Sequence, residues 1–156
     1  MKKLLLTLVL ALACYTNILA ESFSIGSNAD LYTYRFDNEY FLVVSFKDDS
    51  DNRLMEGSVL KILLKDVGII RLDGTEGSKR TKTRQQSWML GITTGKTTDT
   101  HYAIFYISNE DVNSLKNGIE KIAINTIPER YVYDCGKKFG QNLYDSFMKI
   151  KDEFAK

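Results

Sequence analysis

The sequence predicts an α+β domain, in which a mostly antiparallel β-sheet or sandwich of about seven strands packs against one C-terminal amphipathic helix. Short runs rich in aromatic and β-branched residues alternate with polar or glycine-containing turns through most of the chain. In the final segment, apolar residues recur at a spacing of three or four, which places them on one stripe of a helix. Such a helix must bury its stripe, and the sheet is the apolar surface available to it.

The C-terminal helix is predicted over residues 135–155. Lysines and aspartates occupy many of the positions off its apolar stripe, which is typical of a helix with one solvated side. The stripe itself consists of Phe139, Leu143, Phe147, Ile150 and Phe154.

Seven strands are predicted ahead of this helix, most of them in antiparallel pairs. They cover residues 31–36, 40–46, 59–64, 69–72, 87–93, 102–107 and 119–127. The first pair flanks a polar turn, the second flanks a turn containing Gly68, and the third flanks residues 95–100. Residues 73–87 are the most polar stretch and are predicted to be a loop whose tail can extend the following strand.

A short helix is predicted between the last two strands. Ser108 and Asp111 have a spacing similar to that of a capping box, and Asn117-Gly118 ends the helix after Lys116. Pro128 then limits the strand that follows.

The first twenty residues have the pattern of a cleavable secretion signal. Two lysines precede an apolar run at 4–13, which is shorter than the roughly 20 residues needed to span a bilayer. Ala20 places a small residue at the expected cleavage point. In a second interpretation Leu10–Cys14 is a loose lipobox, and Cys14 becomes an acylated N-terminus. Both interpretations predict that the protein is exported to the periplasm, to the outer membrane or out of the cell.

Composition predicts one domain, residues 21–156, and excludes several classes of function. Without residues 1–20 the formal net charge is −1, which argues against nucleic-acid binding. Cleavage after Ala20 leaves Cys135 as the single cysteine, so the mature domain has neither an intramolecular disulfide nor a thiolate metal cluster. Cys135 is predicted to be a buried, unreactive thiol. No metal or other cofactor is predicted.

Two motifs suggest ligand binding but fit a turn better. Gly91–Thr97 resembles a phosphate-binding loop, yet only three residues separate its glycines where the motif needs four, and a strand follows instead of a helix. We interpret it as a hairpin turn.

Asp48, Asp49 and Asp51 offer oxygen ligands for calcium, but they lack the central glycine and closing glutamate of an EF-hand loop. A solvated turn is predicted there.

His101 is the only histidine of the chain. A structural or surface role is predicted, because neither a nucleophile nor an oxyanion site can be assigned beside it. The alternative is a small extracytoplasmic hydrolase that uses His101 with a carboxylate.

Basic and aromatic residues are the predicted binding residues. The run from Lys79 to Arg84 places four positive charges in six residues, and exposed aromatic rings can stack on sugars or on partner side chains. Alternation sends about half of the strand aromatics into the core. The predicted binding residues are Lys79, Arg80, Lys82, Arg84, Trp88, Tyr32 and Tyr34.

The segment Tyr106–Ile122 resembles a tail that recurs in small exported proteins of Gram-negative gut anaerobes. The resemblance implies a cell-envelope location and an α+β architecture, and it carries over no functional residue. We therefore expect a non-enzymatic exported domain that binds an envelope protein or a surface glycan. A lipid carrier, the third possibility, requires an empty apolar cavity beneath the helix.

Overall fold

The computed structural model describes residues 21–36, 38–48, 58–66, 68–75, 81–89, 92–125 and 130–153. At positions 48, 75, 81–101 and 151–153 it describes the backbone alone. The predicted signal at residues 1–20 and Cys14 therefore lie outside the described residues.

The described residues form a nine-stranded antiparallel sheet that curves into a half-barrel. The strands are β1 (Ser22–Ser24), β2 (Ala29–Phe36), β3 (Glu39–Asp48), β4 (Val59–Leu64), β5 (Gly68–Thr75), β6 (Thr81–Met89), β7 (Ile92–Ile107), β8 (Ile119–Asn125) and β9 (Arg130–Asp134). Eight of them follow the order β1-β2-β3-β7-β5-β4-β8-β9, and β6 pairs separately with β7.

Two helices complete the described fold. Helix α1 (Asn109–Ser114) continues into a 3₁₀ turn at Leu115–Asn117, and helix α2 (Phe139–Glu153) follows the last strand. The α+β class and the C-terminal helix are thus confirmed, but the helix begins at Phe139 and not at residue 135 as predicted, because a turn at residues 137–138 precedes it. The predicted count of about seven strands is too low for the described residues, because the short strands β1 and β9 at the two ends of the sheet carry weak sequence signals.

Between residues 73 and 100, the predicted tail of the loop is confirmed as strand, whereas the predicted strand 87–93 and the predicted turn at 95–100 are wrong. Strand β5 runs to Thr75, β6 occupies the second half of the predicted loop, and β7 is continuous from Ile92 to Ile107. The segment 95–100 is therefore a strand and no turn, because it pairs with β6 from Gln86↔Gly95 to Thr81↔Thr100. Threonine, which is frequent in this segment, favours strands strongly enough to outweigh one glycine.

The inner face of the sheet, which faces α2, forms most of the core. Alternate positions of the central strands point inward and are buried. Among them are Leu31, Leu42, Val44, Phe46, Leu60, Ile62, Phe105, Ile107, Ile122 and Ile124.

The two ends of the half-barrel approach one another. The Tyr131 ring on β9 lies 4.6 Å from the Phe46 ring on β3, measured between centroids. The Tyr133 hydroxyl, also on β9, donates a hydrogen bond of 2.9 Å to Asn28 Oδ1 in the turn between β1 and β2. These contacts hold the curvature that makes room for the helix.

Helix α2 packs in this curve through the predicted stripe. Leu143 and Phe147 are completely buried, and the Phe147 ring meets the Tyr40 ring edge-on at 5.2 Å. The hydroxyls of Ser146 and Thr33 share a buried hydrogen bond of 2.6 Å, which fixes the helix against β2. The stripe is confirmed from Phe139 to Ile150, and Phe154 lies outside the described residues.

The short helix α1 begins as its sequence predicts. Ser108 Oγ accepts a hydrogen bond of 3.1 Å from the Asp111 backbone N–H and donates one of 2.7 Å to the Asp111 carboxylate. Gly118, at φ 96°, ends the following 3₁₀ turn in a conformation that favours glycine.

Gly140 brings the start of α2 into direct contact with this turn. A Cβ at Gly140 would overlap the Leu115 carbonyl oxygen and would lie 2.9 Å from the Ile119 backbone nitrogen. We predict that Gly140→Ala lowers the free energy of unfolding by about 1–3 kcal/mol, because overpacking outweighs the helix propensity of about 1 kcal/mol that alanine adds. Chemical denaturation measures this change.

Gly136→Ala is the matched control for this prediction. A Cβ at Gly136 has no other atom within 4 Å, and its backbone is not in the left-handed region. We expect its free energy of unfolding to stay within about 1 kcal/mol of the parent. Equal stability of the two variants, or a more stable Gly140→Ala, would contradict the close packing at Leu115.

Candidate functional site

The face of the sheet turned away from α2 carries a cluster of aromatic residues on three neighbouring strands. Register brings them together, because Tyr34 on β2 pairs with Phe41 on β3, and Phe41 pairs with Tyr106 on β7. Two further tyrosines follow on the same face, one on β2 and one on β7. We call this set the outer aromatic face: Tyr32, Tyr34, Phe41, Tyr102 and Tyr106.

One end of the outer aromatic face is apolar and open to solvent. The rings of Phe41 and Tyr106 meet edge-on, with centroids 6.0 Å apart and planes inclined at 71°. Tyr106 is 48% exposed, although it lies in the central strand β7. An aromatic ring held in place by a neighbour and open to solvent is suited to stacking on a ligand.

The middle of this face is closed by aliphatic side chains. Tyr32 pairs with Val43, and Val43 pairs with Ile104. Val43 and Ile104 are buried although they point away from α2. Two buried aliphatic residues therefore lie between the two ends of the outer aromatic face.

The other end of the face is polar. Asp30 pairs with Ser45, and Ser45 pairs with Tyr102. The pKa of Tyr32 is raised from its ordinary value, first by burial and then by the negative charge of Asp30 and by Tyr102. A hydrogen bond with the Ser45 side chain acts in the opposite direction, and Lys47 Nζ lies 3.7 Å from Asp30 Oδ2. This end therefore presents hydroxyl groups beside the carboxyl group of Asp30.

The remaining predicted binding residues lie elsewhere. Lys82, Arg84 and Trp88 are on β6, where they pair in register with Asp99, Thr97 and Thr93 of β7, and only their backbone is described. Lys79 and Arg80 lie outside the described residues. Of the predicted set, the structure brings together only Tyr32 and Tyr34 on one described surface.

Phe41 is not among the residues predicted from the sequence, and the positions of Tyr102 and Tyr106 beside the β2 tyrosines were not predicted either. The signal that would have found them is strand alternation combined with register. Once Leu31 and Leu42 are assigned to the core, Tyr32 and Phe41 must point to the opposite face. The order of strands, which brings β7 beside β3, cannot be deduced from the local pattern.

The residues discussed above as alternatives for catalysis, phosphate binding and calcium binding lie at separate places in the sequence of strands. His101 lies in β7 and pairs with Phe46, and its side chain is outside the description. The segment 92–97 of the motif similar to a phosphate-binding loop is part of β7, and its predicted turn is wrong. Asp48 ends β3, whereas Asp49 and Asp51 lie outside the described residues.

Comparisons with known proteins return no match: no protein-family model, no curated protein and no solved structure is similar to this chain. Within the described parts of the chain, no three His, Cys, Asp or Glu residues are grouped so that they could hold a metal ion. Over the same parts, no helix combines the length and apolarity needed to cross a membrane.

Cys135 follows β9 and is half-buried, with a free thiol. Burial, and secondarily the neighbouring Asp134, raises the pKa of this thiol to about 11. The thiolate, which is the reactive form, is therefore scarce at neutral pH. These properties agree with the predicted unreactive thiol, although burial is only partial.

We predict that Cys135 reacts slowly with a thiol reagent such as Ellman's reagent. In the chain that begins at Glu21, where Cys135 is the single cysteine, the raised pKa lowers the thiolate fraction at about pH 8 by about 100-fold relative to an ordinary thiol. The rate should rise with pH until the pH exceeds about 11. The same chain unfolded in guanidinium is the control, and equal rates in the two states would refute the prediction.

Proposed function

We propose that this chain is an exported, non-enzymatic domain of the cell envelope or the secreted fraction that binds a protein or glycan partner. The observation that carries the proposal is the outer aromatic face, where Tyr106 is exposed and its ring meets the ring of Phe41 edge-on. No specific contact of a described residue favours the alternative hydrolase with His101.

The chemistry of the outer aromatic face suits recognition. Aromatic rings supply a large contact area with few rotatable bonds, so little conformational entropy is lost on binding. The polar end adds the hydroxyls of Tyr32, Ser45 and Tyr102 and the carboxylate of Asp30, which can donate to and accept from a partner. Stacking surfaces beside hydroxyl and carboxylate groups match both sugar rings and the side chains of a protein.

The described fold is consistent with an exported domain that has no disulfide. Its core depends on packing, with Phe46, Phe105 and Phe147 completely buried.

Export is testable directly. In a Gram-negative host we expect the full chain to be processed, so that the intact mass of the purified protein corresponds either to a start at Glu21 or to a diacylated start at Cys14. An unprocessed chain in the cytosol would contradict both forms of the export proposal. Substituting the two lysines at positions 2 and 3 with glutamate should slow processing, because the positive n-region is lost.

Binding is tested with substitutions at Tyr106. The chain that begins at Glu21 is immobilised and exposed to envelope extract and to a glycan array. We expect Tyr106→Ala to weaken capture of the recovered partner about tenfold, since aromatic anchors dominate such contacts. Tyr106→Phe should retain most of the affinity if stacking of the ring carries the interaction.

Ile69→Ala is the matched control, because Ile69 is 64% exposed on β5, outside the outer aromatic face. It should leave capture unchanged. Equal losses in Tyr106→Ala and Ile69→Ala, or capture that is insensitive to Tyr106, would remove the outer aromatic face as the binding surface. Recovery of neither a protein nor a glycan by the parent chain would contradict the binding function itself.

A further inference from the structure

Strand β9 lies at one end of the described sheet, and one of its two edges has no described strand beside it. In the order of the eight strands, β9 follows β8, and no further described strand follows β9. Its pairing with β8 is antiparallel, from Asn125↔Arg130 to Lys121↔Asp134. The other edge of β9, which we call the open edge, is therefore a place where the described sheet can gain a strand.

The hydrogen-bond pattern shows which backbone groups face the open edge. The Cys135 backbone N–H donates a hydrogen bond of 2.8 Å to the Glu120 carbonyl oxygen, so these two residues form a hydrogen-bonded pair. Bonded and non-bonded pairs alternate in an antiparallel ladder, so Tyr133 and Tyr131 also bond to β8. The N–H and C=O groups of the other three residues of β9 therefore point toward the open edge. These residues are Arg130, Val132 and Asp134.

The side chains of these three residues are exposed and share the outward face of β9. Val132 is 51% exposed, although it is a large apolar residue. Arg130 lies two positions before it and Asp134 two positions after it. The contacts that hold β9 to the other end of the half-barrel are made by Tyr131 and Tyr133, which point inward. The outward face of β9 is thus an apolar residue between two opposite charges.

This order of charges is complementary to itself. Two charges of the same sign on an edge strand would repel an identical strand. When two copies of β9 run antiparallel and are centred on Val132, Arg130 of each copy faces Asp134 of the other, and the two Val132 residues face each other. All of these residues direct their backbone groups toward the open edge, so about six hydrogen bonds can join the two strands.

From this complementarity we propose that the chain forms a two-fold symmetric dimer through the open edge of β9. This goes beyond the proposed function, because the partner is a second copy of the chain and the surface is not the outer aromatic face. Pairing of the same residues in both directions is the property of a two-fold interface. A parallel arrangement would bring Arg130 beside Arg130, and an antiparallel shift by two residues would place Val132 opposite a charge.

The neighbours of β9 on β8 are compatible with this pairing. Ala123, which is buried, pairs with Val132, so the two Val132 residues of the dimer would continue an apolar row. Lys121 Nζ lies 3.3 Å from Asp134 Oδ1, but the Asp134 side chain is 85% exposed. A carboxylate accepts several hydrogen bonds, so Asp134 can hold Lys121 and also receive Arg130 of the second copy.

Analytical ultracentrifugation of the chain that begins at Glu21 tests the proposal. The shared edge is five residues long, which places the interface in the weak class below about 1,200 Å². We expect the mass to rise from monomer toward dimer between ~10 µM and ~1 mM and to stop there. Over this range, amide hydrogen exchange should slow at Val132, whose N–H faces the open edge, and should stay constant at Tyr133, whose N–H is bonded to β8.

Two charge variants test the arrangement of the strands. In a homodimer, Arg130→Asp would set carboxylates against carboxylates, and Asp134→Arg would set guanidinium groups against guanidinium groups. Each variant alone should therefore associate about thirtyfold more weakly than the parent, because both interchain ion pairs become repulsive. An equimolar mixture of the two variants should regain the association of the parent, because every carboxylate then faces a guanidinium group.

A third variant tests the backbone, and a matched pair on β5 is the control. Val132→Pro removes an N–H that faces the open edge and no hydrogen bond to β8, so it should abolish association while circular dichroism stays that of the parent. Arg71 and Asp73 are an exposed Arg–Asp pair two residues apart, on a strand with a neighbour on each side. Arg71→Asp and Asp73→Arg should each associate as the parent does.

Several results would overturn the proposal. A chain that stays monomeric up to ~1 mM would do so. A dimer that both charge variants leave intact would place the contact on another surface, and growth beyond the dimer would mean open-ended strand addition. Charge variants that associate weakly alone and are not restored by mixing would exclude this register. None of these measurements depends on Tyr106, so the dimer and the proposed binding function stand or fall separately.

Discussion

The packing of helix α2 into the curved inner face of the sheet is the interaction on which the rest of the structure depends. The inner face alone would expose completely apolar side chains such as Leu42 and Phe105 to water. Helix α2 covers this surface with Leu143 and Phe147, both completely buried. At about 25 cal/mol per Å² of buried apolar surface, side chains of this size each contribute roughly 1.5–3 kcal/mol.

Polar contacts give this packing a single orientation. Apolar stripes can slide against one another at small cost, but the buried hydrogen bond between Thr33 and Ser146 is satisfied in one position only. Gly140 fixes the start of the helix against Leu115 in the same way, because no larger residue fits there. The position of α2 therefore follows from two close contacts as well as from its apolar stripe.

The sequence predicts the parts of the fold whose signals are local. The stripe of α2, the cap at Ser108 and the strands around Leu31, Leu42 and Ile62 all follow from periodicity or from a specific hydrogen bond. Strand β6 and the first half of β7 do not, because the mainly polar residues 81–87 and 93–100 show no alternation of apolar and polar positions. Gly95 favours a turn in any local reading, whereas the surrounding threonines favour the strand that is observed.

The candidate site could be predicted only in part, for a related reason. Alternation indicates that Tyr32 and Tyr34 share a face, and both are predicted binding residues. Alternation does not predict that Tyr106 lies beside them, because three strands separate β3 from β7 along the chain. The order of strands that are distant in sequence depends on how the whole core packs. A short stretch of sequence carries no information about that packing.

With the inner face covered by α2, the opposite face of the sheet is the one that carries Tyr106, which is 48% exposed. The rings of Phe41 and Tyr106 meet edge-on, so the contact that orients Tyr106 is made within the protein itself. A ligand that stacked on Tyr106 would therefore meet a ring whose rotation is already restricted, and less conformational entropy would be lost on binding. The same preorganisation follows from strand register alone, because Phe41 and Tyr106 are directly paired residues of β3 and β7.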